Sequence, residues 1–228
     1  MINHMKARYL AAALLGVVLQ SGPVSAGDAP VTITLIGDAH INGDGLNPPD
    51  RFAARMTAAL ANAGVTATIQ SAGIRHSTDL GLFWLTQMPE GQALLAAPAG
   101  QAVILELGML DCYGEGTEIA LDKTRANFEQ MLDILHDKGI PVLLVGAETF
   151  GHCGKQYGTD DQSLFPLLAS LRGLPFYPDF MEGVAGHPEL VQQRFDCAHP
   201  NEAGEQLVAE KMLPMVLALV ADVGKPLS

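Results

Sequence analysis

Basic residues are scarce: 13 lysines and arginines stand against 25 acids in 228 residues, for a formal net charge of −12. A surface of that sign repels phosphate backbones and anionic headgroups, which argues against nucleic acid or an anionic membrane as a partner. No CxxC or HxxxH pair is present to announce a chelating unit, and no GxGxxG or P-loop pattern to cradle a phosphate. There is no internal repeat and no low-complexity tract. Cysteine is limited to Cys112, Cys153 and Cys197, an odd number. In an oxidising compartment the plain expectation is one disulfide and one free thiol.

The N-terminus reads as a removable segment. Lys6 and Arg8 precede an apolar stretch from Tyr9 to Leu19, and Val24-Ser25-Ala26 supplies small residues of the kind a signal peptidase reads. The stretch is short of the roughly 20 residues that a membrane span requires. We therefore expect residues 1–26 to be a secretory signal cleaved after Ala26. Residues 27–228 would then be a single periplasmic or secreted domain without stable membrane insertion. Loss of Lys6 and Arg8 takes the net charge from −12 to −14.

Apolar, β-branched runs recur at Val31 to Ile36, Val65 to Ile69, Ala102 to Leu107 and Pro141 to Val145, with a shorter one at Pro175 to Tyr177. Strands that lack polar alternation are those buried on both faces of a parallel sheet. Between them, helical spacing predicts helices over Asp50 to Ala63, Thr117 to Lys138, Leu164 to Leu171 and Glu202 to Val223. The stripe of the second consists of Ile119, Leu121, Phe128, Met131, Leu132 and Leu135, and Asn201 is placed to cap the last. Trp84 and Phe83, beside Leu80 and Leu82, are expected in the core or a pocket wall. The alternation predicts an α/β, flavodoxin-like three-layer sandwich with a five-stranded parallel sheet and its ligands at the carboxyl ends of the strands.

The unusual polar residues fall at those ends. LIGDAHINGDG follows the first strand, LELGMLD (Leu105 to Asp111) spans the third, and FDCAHPNEAG (Phe195 to Gly204) precedes the last helix. These segments, together with QSAGIRHSTDLGL, GIPVLLVGAETFGHCGKQYG and FYPDFMEGVAG, resemble in order and spacing the blocks of the SGNH or GDSL hydrolases, in particular their thioesterase-I-like and arylesterase-like members. The resemblance implies a seryl esterase fold that needs no cofactor and takes a small acyl ester or lipid-like molecule. By the same resemblance Asp196 and His199 are the retained dyad, in which the aspartate orients an imidazole that serves as base.

The other signature positions depart from the pattern. Ala39 stands where the family has its nucleophilic serine, His76 where it has the oxyanion-hole glycine, and Leu110 where it has the oxyanion-hole asparagine. An alanine methyl cannot attack an ester. Asp38, His40 and Asp111 complete the ligand-binding or oxyanion region that the resemblance implies. The reading that follows is an exported, catalytically impaired homologue that binds an acyl, lipid or glycan ligand.

Two other chemistries stay open. His40, His76, Cys112, His152, Cys153 and Cys197 all fall on strand-end loops, and imidazole and thiolate suit zinc or copper. Such a metal, or a base formed by His199 with Asp196, could activate water for ester cleavage; alternatively the protein could bind the metal without chemistry. Against a metal site, Cys112 and Cys153 lie on neighbouring loops and suit a disulfide, with Cys197 a small buried residue. A cysteine nucleophile, Cys197 or Cys112 with His199, is disfavoured because Cys197 lies only two residues before its base.

Overall fold

The computed structural model describes residues 30–74, 77–113, 119–146, 163–193 and 199–227. Five strands, β1 (Val31–Gly37), β2 (Ala67–Ser71), β3 (Gln101–Glu106), β4 (Val142–Val145) and β5 (Phe176–Tyr177), form one parallel sheet in the order β2-β1-β3-β4-β5. The helices are α1 (Phe52–Asn62), α2 (Thr78–Gln87), α3 (Pro89–Ala96), α4 (Met109–Tyr113), α5 (Leu121–Asp137), α6 (Leu164–Arg172) and α7 (Glu202–Asp222). α1 and α7 pack on one face of the sheet around Phe52, Met56, Val208 and Met212. α2, α5 and α6 cover the other around Leu85, Phe128, Leu132 and Phe165. This is the three-layer sandwich expected from the sequence. No helix among the described residues is long and apolar enough to cross a membrane.

The largest boundary differences from the expectation, and two helices outside the expected ranges, have local reasons. β2 begins at Ala67, not Val65, because the Val65 N–H donates to the Leu60 carbonyl and closes the end of α1. α5 begins at Leu121, not Thr117: the Ile119 N–H donates to the Asp111 carbonyl at 2.7 Å and Ala120 is extended, so Ile119 falls outside the helical stripe. The segment after β2 forms two helices, since Met88 is extended ahead of Pro89, whose ring disfavours a helical residue before it. Leu80 and Phe83 lie on the outer face of α2, 43% and 50% exposed, so neither is core. α7 is capped as expected, the Asn201 side chain accepting from the N–H groups of Ala203 and Gly204.

Gly37 is where the sheet demands a missing side chain. A Cβ there would lie 2.7 Å from the Glu106 carbonyl and clash with the Ile41 side chain. The central position of β1 and the register Gly37↔Glu106 thus deliver the chain after β1 directly against the end of β3.

One buried acid lies apart from the strand ends. Glu205, on α7, is completely buried. Burial holds its carboxyl well above the ordinary range, partly offset by the Arg55 charge. A carboxyl that binds its proton more tightly when folded contributes stability that is full below its unfolded pKa, about 4.3, and is lost as pH rises towards the folded value. Glu205→Gln is therefore expected to match the parent in acid and exceed it increasingly as pH rises to 8. Urea unfolding across that range checks this, and parallel curves for the two proteins would contradict it.

Candidate active site at the strand ends

The turn after β1 is built by its own polar groups. The Asp38 N–H donates to both the backbone carbonyl (3.1 Å) and Oε2 (3.2 Å) of Glu106, and Asp38 Oδ1 accepts from the His40 N–H at 3.0 Å. The Asn42, Gly43 and Asp44 N–H groups turn back onto the carbonyls of Asp38, His40 and Ala39. Asn42 ties the turn to the loop after β2: its Nδ2 donates to the Gly37 and Ile74 carbonyls, and its Oδ1 accepts from the Ser71 hydroxyl. Ala39 is half-buried at the start of this turn.

Inside the turn lies a buried pair of imidazoles. The His40 ring is 2% exposed and its centroid is 4.7 Å from that of His199, with the planes tilted by 49°. Phe180, beyond β5, stacks on His40 at 6.4 Å, and His40 Nδ1 stands 3.8 Å from Asp38 Oδ1. At 3.8 Å this is an electrostatic contact rather than a hydrogen bond. Asp38 and Glu106 are fully buried, and Asp179 nearly so. Burial, followed by the charges of Asp38 and then Asp179, holds the Glu106 carboxyl well above the usual carboxylate range.

The structure thus brings Asp38, Ala39, His40 and His199 to one place. It adds Glu106, Asn42 and Asp179, none of which stood out in the sequence. The available signal for Glu106 was an acid closing an otherwise apolar, fully buried strand. Leu110 is half-buried on α4. Asp111 has a holding role: its Oδ1 accepts from the Thr78 N–H at 2.7 Å, and its Oδ2 accepts from the hydroxyls of Thr78 (2.5 Å) and Thr124 (2.7 Å). Its carboxylate joins α4 to α2 and α5. His76, His152, Cys153, Asp196 and Cys197, and the side chain of Cys112, lie outside the described residues. His136 and His187 are exposed, each beside an acid.

The chain is 26% identical to the esterase TesA of Pseudomonas aeruginosa over 192 residues, 84% of this chain and 90% of that one. A crystal structure of TesA superposes with a TM-score of 0.69 at 25% identity, covering 82% of this chain and 99% of that one. The structure of AlinE4, an esterase of the SGNH-hydrolase family, gives a TM-score of 0.62 at 26% identity over 83% of this chain and 96% of that one. No protein-family profile matches the chain.

Proposed function

The chain belongs to the SGNH-hydrolase family, and from that premise we propose that it is an esterase relative that no longer forms an acyl-enzyme and uses the strand-end site to bind an acyl- or ester-bearing ligand. The observation that carries the reading is position 39. At the head of the turn where the family presents its serine, this chain presents a methyl group, while the retained His199 packs on the buried imidazole of His40 beside it. Leu110, in place of an oxyanion-stabilising asparagine, removes a second element of the seryl machinery. Both changes leave binding surface intact and remove groups needed only for the reaction.

An apolar groove supports the ligand class. Ile41 and Asn42 of the turn also border a groove of about 590 Å³ along α1, walled by Ala54, Thr57, Ala58 and Ile69. That volume lies within the range of small-molecule sites, and small, mostly apolar walls suit an acyl chain. The N-terminal pattern of Lys6, Arg8 and Val24-Ser25-Ala26 supports an exported protein with a mature start at Gly27, which N-terminal sequencing of secreted material would test.

Purified protein is expected to resist labelling by a fluorophosphonate and to show no p-nitrophenyl ester turnover above a His199→Ala control, while a fluorescent fatty-acyl probe binds saturably. Turnover that is insensitive to the fluorophosphonate but lost in His199→Ala would replace the binding role with hydrolysis by activated water. Phosphonylation of the chain would overturn the proposal at its root.

A further inference from the structure

We propose that Asp38, His40 and Glu106 form a binding site for one divalent transition-metal cation, with zinc the best-matched ion. One donor atom from each residue lies within 4.8 Å of the other two, and all three side chains are buried. The site is a product of topology: Glu106 closes β3, the other two leave β1, and the register of these two central strands holds them together. It differs from the histidine and cysteine set that the sequence suggested, sharing only His40 with it.

A second observation points to a ligand. Asp38 Oδ2 and Glu106 Oε1 are buried and accept no hydrogen bond. Among the described residues, no lysine or arginine forms an ion pair with either acid, and the third acid, Asp179, faces the same region. Buried carboxylate oxygens call for a hydrogen-bonding or positively charged partner. A divalent cation would supply that partner to both acids at once and take the His40 imidazole as its third donor.

The donor set selects the ion. One nitrogen and two carboxylate oxygens with a fourth position open are a recognised pattern for zinc, with bonds of about 2.0–2.2 Å. Drawing the three donors to the roughly 3.4 Å spacing of such a site asks for shifts of about an ångström. Magnesium and calcium, which favour six or more oxygens, fit it poorly.

The inference is independent of the acyl-binding role, because its readout is metal content. The full chain would be expressed in zinc-supplemented medium or stripped with a chelator and titrated with zinc chloride, and bound metal counted after gel filtration. About one zinc per chain and a raised melting temperature are expected. Glu106→Gln should bind at least about tenfold more weakly and lose the thermal shift, whereas His187→Ala, at an exposed histidine, should change neither.

Should Glu106→Gln fail to fold, cobalt substitution of the parent protein supplies a second measurement: the visible absorption of a nitrogen- and oxygen-ligated site, altered in His40→Gln. Zinc well below one equivalent without a thermal shift would overturn the inference. Equal zinc retention in Glu106→Gln and His40→Gln would overturn it too, by placing the cation elsewhere.

Discussion

Ala39→Ser alone is expected to give only feeble ester hydrolysis, and the paired change Ala39→Ser with Leu110→Asn to exceed it by about 10²–10³-fold in kcat, the effect of one oxyanion-hole donor. The serine would supply a nucleophile on a turn whose backbone is already fixed by Asp38, Asn42 and the hydrogen bonds to Glu106. A nucleophile without its anion-stabilising donors still faces a tetrahedral intermediate whose charge the site does not meet.

Steady-state hydrolysis of a p-nitrophenyl ester, with fluorophosphonate labelling as a count of competent serines, separates the two contributions. Brisk turnover by the single variant would mean that Leu110 costs nothing and that the impairment resides in one atom. Equal rates for the single and double variants would remove Leu110 from the account.

The second large effect is on stability. Asp111→Ala is expected to lower the free energy of unfolding by about 3–5 kcal/mol, out of a total of roughly 5–15 for a domain of ordinary size. The carboxylate is fully buried and accepts from one N–H and two hydroxyl groups. The Thr78 hydroxyl in turn accepts from Asn127, which also donates to Asp79. Removing Asp111 therefore takes away an acceptor shared by donors on α2 and α5, and each buried hydrogen bond lost in this way costs about 1–3 kcal/mol.

Asp111→Asn keeps the shape and one acceptor oxygen and is expected to cost about half as much. Chemical denaturation read by circular dichroism provides both values. If Asp111→Ala abolished ligand binding while leaving stability within about 0.5 kcal/mol of the parent, a range typical of surface changes, Asp111 would belong to the site and not to the scaffold.

How legible each part was in the sequence follows from what local chemistry encodes. β3 and β4 could be read because burial on both faces leaves an apolar run with polar residues only at its ends, and β1 because its two threonines are β-branched among apolar neighbours. α7 could be read because Asn201 is a cap whose partners lie two and three residues away. The starts of β2 and α5 were misplaced because Val65 and Ile119 commit their N–H groups to Leu60 and Asp111. Apolar character alone does not reveal those commitments. For Phe83 the structure removes the core and leaves only the pocket-wall reading, because apolar character on a helix carries no sign of which face the sheet will take.

By itself, then, the sequence determined the layer architecture, the resemblance to the SGNH hydrolases and the alanine at position 39, since each rests on residue type and order along the chain. Ala39 is an alanine in any fold. The tertiary structure alone decided that Glu106, 68 residues along from Asp38, stands against it. It also decided that His40 and His199 pack ring to ring, that Asp111 fastens helices, and that Glu205 is sealed from water. Those facts depend on strand register and helix facing, which arise from burying apolar surface across the whole domain and leave no mark in any short stretch of chain.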